Sequence, residues 1–294
     1  MIIDPTQVKT GEFHAMMLSA VAPRPIAFAS TVDKNGKPNL SPFSFYNAFG
    51  SKPPILVFSP ARRVRDNTTK HTLQNVFETR EVVIGAVNYN LVHQASLASC
   101  EYPEDVNEFE KAGFTAVKAE KVKPFLIKES PVNFECKVLD VIETGKLGGA
   151  ANLIICEILL MHVHDDILNE SGKIDPNKID LVARMGGDYY CRASGSAVFA
   201  VPKPNHKLGL GFDKIPDAIR LSEVLTGNDL AQLANEEAIP GAEEIRQFNI
   251  SDGMKKFNEA IAADPSNAKL AKHLAARKLI HAGKVKEAWM LLLA

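Results

Sequence analysis

The sequence has 294 residues, with 34 Lys and Arg against 35 Asp and Glu, so the formal net charge is −1. This balance excludes a protein that holds nucleic acid through bulk charge, because phosphate neutralisation needs a basic excess. Apolar residues make up 46% and charged residues 23% of the chain, which is typical of a globular protein and excludes disorder over most of its length. At about 150 residues per domain, this length predicts two domains or one large one.

Cysteine usage and hydropathy favour a cytoplasmic protein without a membrane partner. The cysteines form no CxxC pair and no zinc-ligand spacing, so reduced thiols are expected. The N-terminal segment is not basic and lacks an apolar stretch, which argues against a signal peptide. The longest apolar-rich run, 150–161, is too short to span a bilayer. The cysteines are Cys100, Cys136, Cys156 and Cys191.

Strand-like runs fill the first two thirds of the chain. The segment 25–32 leads through Asn35-Gly36 into a second run at 39–45, and Asn-Gly between such runs is typical of a β-hairpin. The segment 132–138 alternates, with apolar residues on one face and polar residues on the other, which predicts a half-buried strand. Its polar residues are Asn133, Glu135 and Lys137. Further strands are predicted at 55–59, 81–88 and 153–163.

Helices are predicted between these strands at 68–80, 91–99 and 105–112, the last of them ended by Gly113. Many short strands with long excursions favour a closed antiparallel barrel with helical insertions. Continuous β-α alternation is missing, which disfavours a Rossmann sheet. The sequence therefore predicts a mainly β protein.

The C-terminal part is predicted to be helical. A Pro, Asn and Gly-rich linker is predicted at 203–212, and helices follow at 216–236 and 241–294. The segment 253–291 resembles about one and a half tetratricopeptide repeats, with Gly283 in a turn, and this is too short for a freestanding solenoid. We therefore expect a tail that packs on the barrel or on a partner subunit, with a peptide-binding surface as the alternative. The predicted domains are 1–205 and 213–294.

Common nucleotide-binding and hydrolase motifs are absent from the sequence, including GxxxxGK[ST], HExxH and GxSxG. The glycine-rich segment 145–149 is interpreted as a turn between strands. A strand end that carries two His and two Asp offers metal-ligand chemistry, but no third cluster with ligand spacing supports it. We interpret these four residues as structural or solvated and predict no metal. They are His162, His164, Asp165 and Asp166.

The stretch 59–72 places cations among hydroxyls between a predicted strand and a predicted helix. Backbone N–H groups at a helix start, flanked by cations and hydroxyls, make an anion site. On these residues alone, a solvated basic loop and a phosphate site are equally good interpretations. The residues are Ser59, Arg62, Arg63, Arg65, Thr68, Thr69, Lys70, His71 and Thr72.

Polar groups alternate with aromatic rings on the predicted hairpin. An aromatic heterocycle needs apolar faces for its ring and donors and acceptors at its edge, and this hairpin offers both. Ordinary decoration of an edge hairpin is the alternative. The polar residues are Ser30, Thr31, Asn39, Ser41, Ser44 and Asn47.

Several blocks of sequence agree, in consistent order, with one known family. They are RPIAFASTVD at 24–33, NLSPFSFYN at 39–47, PPILVFS at 53–59, KHTLQNV at 70–76, TREVV at 79–83, GKIDP at 172–176 and VARMGGDYY at 182–190. Over residues 10–195 the chain resembles the flavin reductase-like family of FMN-binding split barrels. The C-terminal hundred residues are not explained by this resemblance.

The resemblance implies a six-stranded Greek-key barrel with helical insertions, a homodimer, and FMN near the subunit interface. Carried over by position, 29–31 and 39–44 would flank the isoalloxazine, and Ser59 with 70–72 would take the phosphate. The family usually has Lys-Asp-Thr where this chain has Lys-His-Thr. The candidate cofactor-binding residues are Arg24, Ala29, Ser30, Thr31, Asn39, Ser41, Ser44, Asn47, Ser59, Lys70, His71, Thr72 and Arg184.

The resemblance further implies an oxidoreductase, an FMN reductase that transfers hydride from NADH or NADPH to flavin. It would supply reduced flavin or electrons to an oxygenase or another electron-accepting protein. A flavin carries out the electron chemistry itself, so no catalytic side chain is predicted. The alternative is a flavoredoxin-like FMN electron carrier without nicotinamide turnover, with the C-terminal helices as a protein-docking module.

Overall fold

One antiparallel sheet of seven strands forms the body of the first unit, Met1–Phe199. The computed structural model describes residues 1–103, 105–202, 204 and 208–294, without the side chains of residues 252, 253, 256 and 260. The strands are β1 (Ala27–Val32), β2 (Pro38–Phe43), β3 (Tyr46–Ser51), β4 (Pro54–Phe58), β5 (Glu81–Ala86), β6 (Ala116–Val117), β7 (Leu126–Ile127), β8 (Val132–Glu143), β9 (Asn152–Val163), β10 (Val182–Arg184) and β11 (Tyr190–Arg192).

The order of the large sheet is β2-β1-β5-β8-β9-β4-β3. Its two edge strands, β2 and β3, are joined only by Ser44 and Phe45, so the sheet curls until its edges are neighbours. This is a mainly β split barrel, as predicted, but with seven strands where six were expected. The additional strand is β3, which the sequence did not predict because it is largely exposed and carries Asn47, Gly50 and Ser51 where apolar residues usually alternate.

Helices connect and cover the strands. They are α1 (Thr10–Ala20), α2 (His71–Thr79), α3 (Val92–Leu97), α4 (Glu108–Ala112), α5 (Pro176–Ile179), α6 (Asp217–Arg220), α7 (Gly227–Ala234), α8 (Ala242–Asn249), α9 (Asp252–Ala263), α10 (Ala268–His281) and α11 (Val285–Leu293). Short 3₁₀ helices lie at Tyr89–Leu91, Asp165–Ile167, Gly195–Ala197, Phe212–Lys214 and Pro265–Asn267. Among the described residues, no helix has the length and apolar character that crossing a membrane requires.

Strand β1 is buried on both faces, because the barrel interior covers one face and helices cover the other. Ala27 and Ala29 pack in the interior with Phe58. Phe28 packs on the opposite side, against Phe114, with ring centroids 5.0 Å apart. The predicted hairpin is confirmed, since β1 pairs with β2 and the connecting turn closes around Gly36 at φ 85°.

The alternating strand 132–138 is not half-buried as predicted. It is part of β8, and both Asn133 and Glu135 are buried although they lie on the polar face. The amide of Asn133 bonds the backbone of Ile127, and the Glu135 carboxylate accepts from the backbone N–H groups of residues 120–122. These hydrogen bonds replace those to water and so offset the free-energy cost of burying the two polar side chains.

Several smaller features of the first unit bear on helices, turns and polar side chains named above. Helix α2 begins at His71, three residues later than expected, since Lys70 has an extended backbone and residues 68–70 belong to the loop. Helix α4 ends at Gly113 with φ 72°, as predicted. The glycine-rich segment 145–149 is the turn between β8 and β9. His162 bonds Glu135 at 2.7 Å, and no group of three or more His, Cys, Asp or Glu side chains within the described ranges is placed to hold a metal.

The second unit, Ala200–Ala294, is helical, with Trp289 at its centre. Trp289 is fully buried and its indole N–H donates to the Leu233 carbonyl at 3.0 Å. Of the predicted linker 203–212, residues 203 and 205–207 lie outside the described residues. The remainder is not a free linker, because the N–H groups of Leu210 and Gly211 bond carbonyls that close α7. The predicted helices 216–236 and 241–294 are helical but are broken at several turns.

Candidate functional site

A buried polar network ties the hairpin to the first turn of α2. The Asn39 amide donates to the hydroxyls of Thr31 and Thr72 at 3.1 and 3.0 Å. Asn75 donates to the same Thr31 hydroxyl at 3.1 Å. All four side chains are buried, so each hydrogen bond left unmade would cost about 1–3 kcal/mol. The network therefore fixes the strand pair against the start of the helix.

A cleft opens directly beside this network. Five of the predicted cofactor residues meet there, namely Asn39, Ser41, Lys70, His71 and Thr72. The other lining residues are Arg63, Ala98, Cys100, Glu101, Tyr102 and Glu108. The hairpin, the loop after β4 and the segment after α3 each contribute one wall. Thr72 is fully buried in the wall of the cleft; its hydroxyl oxygen accepts from Asn39, and no described residue accepts the hydroxyl hydrogen.

Lys70 places a cation in the cleft. Its ammonium group makes no hydrogen bond or ion pair with any described residue. Lys70 is half-buried, and burial lowers its pKa, with the charge of Arg63 lowering it further. Lys70 also precedes α2, which begins at His71 without a side-chain cap. The first-turn N–H groups and the ammonium therefore present positive charge to the same space.

Two carboxylates line the same cleft. Glu101 bridges Arg63 and Arg65 at 2.9 and 2.6 Å, and hydrogen bonds from Arg65 and Arg63 hold the pKa of Glu101 below its ordinary value. Glu108 is buried and accepts from the Leu40 N–H at 3.2 Å, and burial raises its pKa. Glu101 thus neutralises arginine charge, whereas Lys70 stays unpaired.

Several other predicted residues lie on the hairpin or just after it, but outside the cleft. The Ala29 side chain packs in the barrel interior. Ser30 lies on the opposite face of β1, since neighbours alternate along a strand, and its buried hydroxyl has no partner among the described residues. The Asn47 side chain is exposed and accepts from the Ala48 N–H at 2.8 Å. From the described part of the chain, Ser44 accepts only a long hydrogen bond, 3.5 Å, from Arg24.

Ser59 is buried away from the cleft. Its hydroxyl accepts from the Asn152 N–H at 3.1 Å, and the Asn152 amide donates to the Pro60 carbonyl at 2.8 Å. These bonds hold the start of the basic loop against β9. Ser59 is therefore placed to position the loop that carries Arg63 and Lys70.

The two predicted arginines lie together but apart from Lys70. The Arg24 guanidinium is buried and donates to the backbone carbonyls of Leu18, Val21 and Met185. Burial lowers the pKa of Arg24, and the nearby charge of Arg184 lowers it further. Arg184 lines a different cleft, beyond α3. The structure therefore does not bring Arg24 and Arg184 to the site at Lys70.

The donors at the cleft, whose own volume is only about 20 Å³, are of the kind that bind a phosphate monoester at its mouth. An unpaired ammonium, an available hydroxyl hydrogen and an uncapped helix start are the groups that bind phosphate in proteins. Of the lining residues, Arg63 lay in the basic stretch but was not among the predicted cofactor residues. Glu101, Tyr102 and Glu108 were missed, because their approach to Lys70 is a long-range contact that no local sequence pattern reports.

Comparisons with known proteins agree with this architecture. The family model described as a flavin reductase like domain matches residues 17–178, more than half of the chain. An uncharacterized protein of Aquifex aeolicus is 38% identical over 188 residues, which cover 64% of this chain and 93% of that protein.

Two solved structures share the fold. Nitrilotriacetate monooxygenase component B from Bacillus cereus has a TM-score of 0.63 and 24% identity, and the match covers 68% of this chain and 98% of that chain. A split-barrel protein of Shewanella frigidimarina has a TM-score of 0.58 and 26% identity, with 67% of this chain and 95% of that chain covered. With a matching barrel and a family model that spans most of it, this chain belongs to the flavin reductase-like domain family.

Proposed function

We propose that this protein binds FMN and acts as a flavin reductase, taking hydride from NADH or NADPH and passing reduced flavin or electrons to a partner protein. The observation that carries the proposal is the cleft where the unpaired Lys70 ammonium and the Thr72 hydroxyl stand beside the uncapped start of α2. Membership of a flavin reductase-like family supports the redox role.

In this proposal the cleft holds the phosphate end of the cofactor. Lys70 supplies the balancing charge, Thr72 donates a hydrogen bond, and the N–H groups at the start of α2 complete the cradle. His71 replaces the acidic residue usual at this position, which removes a negative charge from the phosphate site. The cleft is narrow, so the ring end would lie outside it, along the β2 residues Asn39 and Ser41.

The protein's part in the reaction is placement. Bound FMN would supply the redox chemistry, accepting hydride from a nicotinamide. The network of Thr31, Asn39, Thr72 and Asn75 keeps the hairpin fixed relative to the phosphate cradle, which holds a ligand spanning both in one orientation. No acid or base side chain is required for hydride delivery, so we assign no catalytic residue.

A homodimer is part of the same proposal. Large apolar side chains are exposed on strands β3, β8 and β9 of the barrel, and exposed apolar surface of this kind is typical of interaction sites. They are Phe49, Leu139, Ile142, Leu159 and Met161. We further propose that the tetratricopeptide-like helices α9 to α11 serve to dock a partner. One structural neighbour is named as a component of a monooxygenase, which supports an oxygenase as that partner. The free cysteines support a cytoplasmic location.

The test is the visible spectrum of the FMN-loaded full-length protein in the absence of oxygen, with NADH and NADPH added in turn. We expect the flavin absorption to bleach within seconds with at least one of the two donors. Bleaching by dithionite alone would replace the reductase with the electron-carrier alternative. A protein that does not take up FMN would overturn the proposal.

A further inference from the structure

A second cleft lies in the first unit, between α3 and the β10–β11 hairpin. It has a volume of about 430 Å³, within the range of small-molecule sites. Two tyrosine rings and two guanidinium groups form its walls, with His93 on the α3 side. We propose that this cleft, which we call the Arg184 cleft, binds a small anion that carries a planar ring.

Arg184 is the residue that would bind the anionic group of the ligand. Its guanidinium donates to the Tyr190 hydroxyl and to the Gly187 carbonyl, each at 2.9 Å, and lies 4.7 Å from the centre of the Tyr190 ring. Across the described ranges of the chain, no carboxylate lies within ion-pair distance of it. Both of its partners are neutral, so its charge is uncompensated.

Arg192, on the same wall, differs from Arg184 because its charge is paired. Its guanidinium forms a two-pronged pair with Asp180, with both N···O distances 2.7 Å, and stacks 4.0 Å from the Tyr89 ring centre. Its charge is therefore satisfied within the protein, and it serves to hold the ring. The Arg184 guanidinium has the same kind of ring partner but lacks the carboxylate, which leaves a ligand to supply the negative charge.

The surroundings of Arg184 add to its positive potential. Buried Arg24 is close enough for the two charges to repel each other, and its guanidinium is held by backbone carbonyls and not by an acid. The backbones of Arg24 and Arg184 exchange two hydrogen bonds of 2.9 Å, which pins both residues. Asp188, in an exposed turn, is the acidic residue on the wall. The site is thus held in place by the backbone with a net positive interior.

The rings provide the second half of the recognition. Tyr89 is 49% and Tyr190 is 36% exposed, although each already has a guanidinium at its face. An aromatic ligand gains from offset stacking on such exposed rings, and an anionic group on it would reach Arg184. An uncharged apolar ligand would leave the Arg184 charge unpaired, so it fits less well.

The Arg184 cleft and the cleft that contains Lys70 are neighbours across α3. Ser96 lines the first and Ala98 lines the second, and these residues lie at most about 7 Å apart along the chain. A ligand in the Arg184 cleft would therefore lie beside the proposed cofactor. Two sources share the required chemistry, the adenylate end of a nicotinamide donor and an aromatic carboxylate that receives the electrons. Binding of the anion to the Arg184 cleft does not depend on the proposed function; only the role of the bound ligand in a reaction rests on it.

Calorimetric titration of the FMN-loaded full-length protein tests the site without turnover. One arm uses ADP and the other uses benzoate, which distinguishes the two sources. We expect one probe to bind, and Arg184→Gln to weaken it roughly 10- to 100-fold by removing a charge-assisted hydrogen bond. Arg246→Gln, the same charge change on an exposed helix of the second unit, should leave the affinity unchanged.

Arg184→Lys is a second variant in case Arg184→Gln does not fold. It keeps the positive charge but loses the planar guanidinium group. It should bind the probe more weakly than wild type and more tightly than Arg184→Gln. Binding of neither probe, or equal binding by wild type and both variants, would overturn the inference. FMN uptake, measured by visible absorption in every variant, reports separately on the proposed function and should be unchanged.

Discussion

The buried carboxylate of Glu135 offers the sharpest test of how the barrel is held together. Glu135 is fully buried on β8, and each of its oxygens accepts two hydrogen bonds. One oxygen accepts from the N–H of Glu120 at 3.0 Å and from His162 at 2.7 Å. The other accepts from the N–H of Lys121 at 2.5 Å and of Val122 at 3.2 Å. Glu135→Gln keeps one accepting oxygen and turns an NH₂ group toward two donors.

The expected loss of stability follows from the four hydrogen bonds that the Glu135 carboxylate accepts. Two of the four donors then face an NH₂ group, and the other two, whichever they are, lose the negative charge of their acceptor. Removing one partner of a buried charged interaction costs about 3–5 kcal/mol, a large fraction of the 5–15 kcal/mol that stabilises an ordinary domain. We therefore expect Glu135→Gln to lower the free energy of unfolding of the barrel by about 3–5 kcal/mol.

Urea unfolding followed by circular dichroism measures this change. The sole tryptophan, Trp289, lies in the helical unit, so its fluorescence follows that unit and should not change. Glu143→Gln is the matched control on the same strand. Among the described residues, the Glu143 side chain pairs only with Lys146 at the surface, so the change should shift stability by less than about 0.5 kcal/mol. If the two variants lose equal stability, the carboxylate does not hold residues 120–122 to β8 as argued.

Three further outcomes are expected. Burial alone would raise the pKa of Glu135, but its hydrogen bonds outweigh burial and lower the pKa. The stabilisation by this carboxylate is therefore present above the unfolded pKa of about 4.3 and is lost as the pH falls through the folded pKa. The stability curves of wild type and Glu135→Gln should converge in acid. Lys70→Met should weaken FMN binding roughly 10- to 100-fold in a fluorescence titration, while Lys34→Met, an exposed control, should not. Asp229→Asn should destabilise the helical unit by about 1–3 kcal/mol, read by Trp289 fluorescence, because the buried Asp229 carboxylate accepts from the N–H and hydroxyl of Thr226, the N-cap of α7.

Local patterns in the sequence predicted most of the barrel. The Asn35-Gly36 turn and the apolar runs around it report their own structure, because hairpin geometry depends on neighbours in the chain. Strand β3 and helix α1 were not predicted. Neither has a regular apolar face, since α1 has no buried residue and β3 is mostly exposed, so tertiary context and not local pattern makes them regular.

The burial of the polar face of β8 could not be predicted from local sequence pattern either. Alternation placed Asn133 and Glu135 correctly on one face but gave that face to solvent. Whether a face meets water depends on segments outside the strand, here residues 120–127, and a two-residue period carries no information about them.

The candidate site was predicted in part for a similar reason. Residues 70–72 and Asn39 meet as expected, because strand pairing and the start of α2 bring them together. Arg184 was grouped with them on the resemblance alone, and the structure places it beyond α3. Glu101 and Glu108 were not expected at the cleft, since the segment that carries them follows α3 and reaches Lys70 only in the folded chain.

The measurement that tests the central claim most directly compares FMN with riboflavin. The two ligands share the ring and the ribityl chain and differ in the phosphate, which the claim assigns to Lys70, Thr72 and the start of α2. Titration of each into the purified full-length protein, followed by flavin fluorescence, should show FMN binding at least about tenfold more tightly. Equal affinity for the two, or no binding of either, would contradict the account.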